Sequence, residues 1–151
     1  MKHLQFETTV NASAATAWKL MLDRESYVEW TKEAWPGSTY QGRFGKGEKV
    51  RFVGTEGGGT LARIDEYQEN KGLLATHIAV INADGSEDSE SDVAKGWIGT
   101  LERYTFTEKD GETTIRVDID TTPDWASMFE QDWPKALESL KRLVERSAVH
   151  S

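Results

Sequence analysis

His77 and Glu102 are the two residues whose types and positions could support chemistry. His77 falls in an apolar stretch with the composition of a strand, and Glu102 shares the alternation of Ile98, Tyr104 and Phe106. Because alternate residues of a strand face the same side of its sheet, Glu102 faces inward if those apolar side chains do. The spacing can therefore bring a carboxylate and an imidazole to one interior.

A carboxylate placed inside a protein needs a partner, and Arg51, Arg63 or His77 could supply it. A glutamate whose pKa is raised by burial, next to a histidine, would form the acid and base of an aldol-type cyclase or a hydratase. The alternative is a structural role, since a lone histidine on a strand is more often a hydrogen-bonded structural residue. Glu102 could likewise belong to a satisfied ion pair or stand at a cavity mouth.

Other catalytic and metal-binding patterns are missing from the sequence. The chain has no cysteine, which excludes disulfides and thiolate chemistry, and His3, His77 and His150 are too scattered to form a ligand cluster. The glycine run at 57–59 lacks the Lys-Ser/Thr ending of a phosphate loop, and no Gly-x-Ser-x-Gly elbow occurs. The acidic residues within 82–95 do not have the spacing of a calcium loop. We therefore predict no metal and no cofactor.

Composition narrows the possible partners and the compartment. A formal net charge of -8 over 151 residues works against nucleic acid or an anionic membrane as the main partner. No stretch approaches the roughly 20 apolar residues of a membrane span, and the first residues lack the apolar core of a signal peptide. We expect a cytoplasmic protein made of one domain over residues 1–151, either a monomer or a homodimer.

The order of elements is an opening strand, two short helices, a long run of strands and turns, and one long final helix. The short helices are expected at 14–22 and 27–30, and the final helix at 123–149. The polar stretch 82–95 should be an exposed loop, followed by a strand at 97–107. Pro134 lies inside the apolar stripe of the final helix, so that helix should kink or break near 131–133, or divide into two stacked helices.

The apolar stripe of the final helix changes character along its length. Its first half carries aromatic and thioether side chains and its second half carries Leu137, Leu140, Leu143 and Val144. One helix over a concave antiparallel sheet often leaves a cavity, and bulky aromatic side chains are plausible ligand contacts there. Trp35 could belong to a lid over the entrance or to the core. The predicted cavity residues are Trp30, Ile64, His77, Glu102, Tyr104, Phe106, Trp125, Met128, Phe129 and Trp133.

Several segments of the chain resemble one protein family. They are Thr9-Val10-Asn11-Ala12 before a helix carrying Trp18, the piece from Tyr27 to Trp30, the stretch from Gly99 to Phe106, and Trp133-Pro134-Lys135-Ala136-Leu137. Together they resemble the START-like, helix-grip (SRPBCC) superfamily and, within it, the branch named for the activator of Hsp90 ATPase homologue 1. The resemblance implies an α+β fold in which a seven-stranded antiparallel sheet wraps around the final helix, with two short helices between strands 1 and 2.

The same resemblance implies a cavity between sheet and helix that is open to hydrophobic small molecules. Our first hypothesis is therefore a protein that binds a hydrophobic or aromatic small molecule without changing it. The second is a cyclase or hydratase that uses Glu102 and His77 as acid and base. The third is a stress-related, co-chaperone-like interaction domain, which would require an exposed apolar patch.

Overall fold

In the computed structural model, the chain is described over residues 2–55 and 57–149. The first part contains β1 (Lys2–Val10), α1 (Ala14–Leu22), α2 (Arg24–Thr31), β2 (Thr39–Gly42) and β3 (Lys49–Val53). The second part contains β4 (Gly59–Gln68), β5 (Gly72–Ile81), β6 (Glu87–Asp88), α3 (Asp92–Trp97), β7 (Leu101–Lys109), β8 (Glu112–Thr121) and α4 (Pro123–Val149).

The strands form one antiparallel sheet. Its order is β1-β8-β7-β5-β4-β3-β2, and the two-residue strand β6 pairs with β5 outside this path. The two edge strands, β1 and β2, are joined in sequence through α1 and α2. The predicted α+β helix-grip fold, with seven main strands and two short helices between the first and second strands, is confirmed.

Helix α4 supplies the apolar stripe that the sheet and the short helices cover. It packs along β1, α1 and α2. Because residues three or four apart share one helix face, a single stripe of α4 is buried. The buried residues on that stripe are Ala126, Phe129, Trp133, Ala136, Leu137, Leu140, Leu143 and Val144.

Side-chain caps hold α1 in place. The Ser13 hydroxyl accepts a hydrogen bond from the Thr16 backbone N–H at 3.2 Å, and the Glu108 carboxylate accepts one from the Ala14 N–H at 2.6 Å. A negative charge at a helix N-terminus is favourable, since it satisfies free N–H groups and complements the helix dipole. The cap therefore ties α1 to the end of β7.

Two hairpin turns place non-glycine residues at positive φ. In the 108–111 turn Asp110 has φ of 53° and Gly111 of 82°, as a type I′ Asp-Gly turn requires. In the turn between β4 and β5 the positive φ, 66°, belongs to Asn70 rather than to Gly72. Asparagine tolerates this region better than other side chains do.

Three sequence expectations differ from the structure. The stretch 82–95 is not only loop, because it holds β6 and most of α3, and the next strand begins at Leu101 instead of residue 97. Ser91 explains the extra helix, since its hydroxyl accepts from the Ala94 N–H at 3.1 Å and Trp97 is buried at the other end. Helix α4 runs unbroken through Pro134. Burial of Trp133 and Leu137 on both sides outweighs the roughly 3 kcal/mol that an internal proline costs.

Candidate functional site

A cavity of about 240 Å³ lies between the inner face of the sheet, α2 and the first half of α4. Its wall is mostly aromatic, with a few hydroxyl groups and glycines from the loops around β2, β3 and β4. The lining residues are Tyr27, Trp30, Trp35, Ser38, Thr39, Phe52, Val53, Gly54, Gly59, Thr60, His77, Trp97, Glu102, Tyr104, Met128, Phe129 and Trp133.

The aromatic rings of this wall pack against one another. The Trp97 ring stacks on Phe129 with centroids 5.8 Å apart, and the Trp133 ring meets Trp35 edge-on at 5.3 Å. Such pairs contribute about 0.5–1.5 kcal/mol each beyond their buried area. Since the rings are rigid and mutually supported, the cavity has a preformed shape.

His77, Glu102 and Tyr104 form a hydrogen-bonded triad in the wall. Nε2 of His77 lies 2.9 Å from Oε1 of Glu102, and the Tyr104 hydroxyl donates to Oε2 of Glu102 at 2.8 Å. The His77 and Glu102 side chains are 4% and 12% exposed. The partner of Glu102 is therefore His77, because Arg51 binds Glu87 and Arg63 binds Asp65.

The backbone explains why these side chains meet. Glu102 on β7 is directly opposite Ala75 on β5, and His77 is two residues further along the same face of β5. The pairing of β4 with β5 shifts its register at Ala62 and His77, and such irregularities re-aim side chains. The His77 backbone is also held by the turn after α3, where its N–H donates to the Thr100 carbonyl and its carbonyl accepts from the Gly99 N–H.

The triad keeps Glu102 ionised. Burial pushes the pKa of the Glu102 carboxyl upward, but electrostatic attraction by His77 and the hydrogen bonds from His77 and Tyr104 outweigh it, so this pKa lies below its ordinary value. The expected raised pKa is therefore wrong, because the partners stabilise the charged form. Burial and the nearby Glu102 charge raise the pKa of the Tyr104 and Tyr27 hydroxyls.

Three buried side-chain nitrogen atoms lack a hydrogen-bond partner among the described residues. They are Nδ1 of His77, Nε1 of Trp97 and Nε1 of Trp133, and all three residues line the cavity. A buried polar group without a partner costs about 1–3 kcal/mol, so native proteins rarely retain one without a reason. By contrast, Nε1 of Trp30 donates to the Met21 carbonyl at 3.1 Å.

Seven of the ten residues predicted to line the cavity do so: Trp30, His77, Glu102, Tyr104, Met128, Phe129 and Trp133. Ile64, Phe106 and Trp125 lie elsewhere, which corrects those three assignments. Ile64 is fully buried in the core, and Phe106 packs against Trp18 with centroids 5.1 Å apart. Trp125 packs against Trp97 at 5.2 Å, so Trp97 stands in the wall instead.

The sequence prediction missed several wall residues, including Tyr27, Phe52 and Trp97. Tyr27 precedes Trp30 by three residues on α2, and this helical spacing could have indicated a shared face. Phe52 and Trp97 gave no such signal. Trp35, assigned either to a lid or to the core, lines the cavity and is tied to α4, since its indole N–H donates to Asp132 at 3.2 Å.

A second groove, of about 510 Å³, lies beside α1 and the turns after β2 and β4 and includes Lys19, Arg24 and Arg43. Its two arginines are engaged: Arg24 donates to the Tyr40 and Gly42 carbonyls, and Arg43 pairs with Glu48. None of the unpartnered buried nitrogens found in the described residues belongs to this groove. The aromatic cavity is therefore the stronger candidate site.

The described residues include no cluster of three or more histidine or acidic side chains able to hold a metal ion. Within the same residues, no helix is long and apolar enough to cross a membrane.

Comparison with known proteins agrees with this architecture. Residues 11–145 match the family model of the activator of Hsp90 ATPase homolog 1-like protein, and the chain belongs to this family. No curated protein matches the chain. The predicted resemblance is therefore confirmed at the level of the family.

Solved structures with low sequence identity share the fold. The Aha1 dimer from Colwellia psychrerythraea matches with a TM-score of 0.73 and 18% identity, covering 96% of this chain and 97% of that one. Protein MLL2253 from Mesorhizobium loti matches with a TM-score of 0.76 and 14% identity over 96% and 98% of the two chains. Protein NE0264 from Nitrosomonas europaea gives 0.72 and 13% over 96% and 95%. The Colwellia protein forms a dimer, which is a precedent for one of the two states expected from the sequence, a monomer or a homodimer.

Proposed function

We propose that the protein binds a small, mainly apolar aromatic molecule in the cavity between the sheet and α4. The observation that carries this proposal is the position of the unpartnered nitrogens, since His77, Trp97 and Trp133 all belong to one aromatic wall. A ligand that brings hydrogen-bond acceptors to the two indole N–H groups, with small adjustments of the rings, would remove the cost of leaving them unpaired.

The size of the cavity limits the ligand. At about 240 Å³ it is slightly below the 300–1,000 Å³ typical of small-molecule sites. One or two rings with a short substituent fit this volume, whereas a sterol or a long polyketide does not. Met128, whose side chain lines the cavity and is partly exposed, marks the side that opens to solvent.

The contact between His77 and Glu102 supports a second candidate, an enzyme of the cyclase or hydratase type. The two groups share one cavity and lie 2.9 Å apart, as a cooperating acid and base would. Because its lowered pKa keeps Glu102 ionised, Glu102 would act as the base and His77 as the proton donor. The two residues could act only on a molecule that is already bound in the cavity, so binding is tested first. The Hsp90 ATPase named in the family description is the partner that the co-chaperone-like alternative would take.

A matched pair of variants tests whether the cavity binds ligand. Phe129 and Phe106 are both 5% exposed, but only Phe129 lines the cavity. We expect Phe129→Leu to change the affinity for a saturably binding naphthol at least about fivefold, because it alters the wall. Phe106→Leu should lower the free energy of unfolding about as much as Phe129→Leu does, but it should leave the ligand affinity within about twofold. Tryptophan fluorescence titration measures the affinity of each variant. Equal changes in affinity for the two variants would contradict the proposal.

A further inference from the structure

The charge of the cavity wall is carried by one carboxylate. Glu102 is the acidic residue among the lining side chains of the described chain, and no lysine or arginine belongs to that lining. Its lowered pKa keeps it ionised. The basic side chain of that lining is His77, which contacts Glu102 directly.

His77 contacts the carboxylate through one of its two ring nitrogens. Nε2 lies 2.9 Å from Oε1 of Glu102, and Nδ1 is buried without a partner in the described residues. His77 therefore gives Glu102 one hydrogen bond and leaves the rest of its acceptor capacity to other groups.

Glu102 still has unused acceptor capacity. A carboxylate has about four lone-pair directions, and the described residues fill two of them, one from His77 and one from Tyr104. The side chain retains 12% exposure. The faces of the surrounding rings also carry negative potential, which attracts cations within about 6 Å of a ring centre.

We propose that the ligand of this cavity is an amine, an aromatic body with one ammonium group that pairs with Glu102. This inference rests on the proposed binding function and names the chemical class of its ligand. The ammonium donates to the free lone pairs of Glu102, and the aromatic body lies among Trp97, Phe129 and Trp133. An oxygen on that body would suit the two indole N–H groups, which an ammonium cannot serve.

Three probes of one shape and different charge test the inference: 4-phenylbutylamine, 4-phenylbutan-1-ol and 4-phenylbutyric acid, titrated at pH 7.5 by calorimetry. We expect the amine to bind at least about tenfold more tightly than the alcohol, because hydrogen bonds to charged groups exceed neutral ones by that amount or more. The acid should bind more weakly than the alcohol. This comparison needs no variant, so it does not depend on the folding of a mutant.

Glu102→Gln removes the charge while keeping the shape of the side chain. It should reduce the affinity for the amine about tenfold and leave the alcohol within about twofold. The control is Glu7→Gln, which makes the same change in net charge at an exposed position on the outer face of β1 and should leave all three affinities unchanged. Saturable binding of all three probes with equal affinity would overturn the amine inference and keep the proposed function. Absence of binding by all three would overturn both.

Discussion

The two halves of α4 bury side chains to a similar degree but differ in what those side chains face. The first half places Met128, Phe129 and Trp133 on the cavity wall. The second half places Leu137 and Leu140 in the core, and no described residue beyond Trp133 lines the cavity. Only the first half contributes a buried nitrogen without a partner in the described residues. We infer that the second half of α4 mainly provides stability and that the first half sacrifices some stability for binding.

The largest effect should come from the second half. Leu140 is fully buried, so Leu140→Ala removes apolar contacts and leaves a cavity, and should lower the free energy of unfolding by about 2–5 kcal/mol. Urea denaturation measures this loss. Ligand affinity of the folded fraction should stay within about twofold of the unchanged protein. A large change in affinity without a loss of stability would show that the two halves do not divide their roles in this way.

The triad should give a smaller effect that depends on pH. Because the pKa of Glu102 is lower in the folded chain than its ordinary value of 4.5, its stabilisation is present above that value and is lost as pH falls through the folded-state pKa. Glu102→Gln should therefore lower the free energy of unfolding by about 1–3 kcal/mol at pH 7. The gap from the unchanged protein should shrink as the pH falls below 4.5 and through the lowered folded-state pKa of Glu102.

Denaturation curves of both proteins at several pH values provide this comparison. Other carboxyls whose pKa is also lowered, such as Asp65 and Asp118, titrate in both proteins and cancel in the difference. A gap that stays constant over the whole acid range in which both proteins remain folded would mean that the charge of Glu102 does not contribute.

Replacing two cavity tryptophans should have smaller effects on stability, and the two losses should differ. Trp30 and Trp133 are 2% and 3% exposed, and both line the cavity, but only the indole N–H of Trp30 has an acceptor. Trp30→Phe should cost about 1–2 kcal/mol more than Trp133→Phe, because it leaves the Met21 carbonyl without its donor. Thermal unfolding of the two variants compares them. Equal losses would mean that the N–H of Trp133 is satisfied in solution.

The smallest effect should come from the surface of α4. Arg142 lies 2.7 Å from Glu33, and both side chains are about half exposed. Because exposed ion pairs contribute little, Arg142→Gln should change stability by less than about 1 kcal/mol, and salt should reduce the difference further. A loss of unfolding free energy above about 2 kcal/mol would mean that this ion pair holds α4 more strongly than its buried face does.

The fold could be predicted because its signals are local. The helix at 123–149 follows from one apolar stripe, and the inward direction of Glu102 follows from strand alternation, which left Arg51, Arg63 and His77 open as its partner. The resemblance added the seven-stranded antiparallel sheet wrapped around that helix. The helix at 92–97 was missed, since it has only six residues and its burial depends on contacts of Trp97 with His77 and Phe129.

The site could be predicted only in part. Trp125 and Phe129 are one helical turn apart, so sequence spacing alone gave both to the cavity, but Trp97 from another element stands in front of Trp125. The pKa direction of Glu102 depends on a distance of 2.9 Å to His77 that no spacing rule provides. The residue types and the helix face that form the wall could therefore be predicted. Which aromatic ring lies next to the cavity, and the pKa direction of Glu102, could not.

The most direct test follows the six indole N–H signals in a ¹H–¹⁵N spectrum while 4-phenylbutan-1-ol is added, with signals assigned by single Trp→Phe variants. Binding in the cavity predicts saturable shifts of the Trp97 and Trp133 signals. The signal of Trp18, which packs against Tyr67 and Phe106 away from the cavity, should stay in place. Saturable shifts of Trp18 with Trp97 and Trp133 unmoved, or no saturable shift at all, would contradict the account.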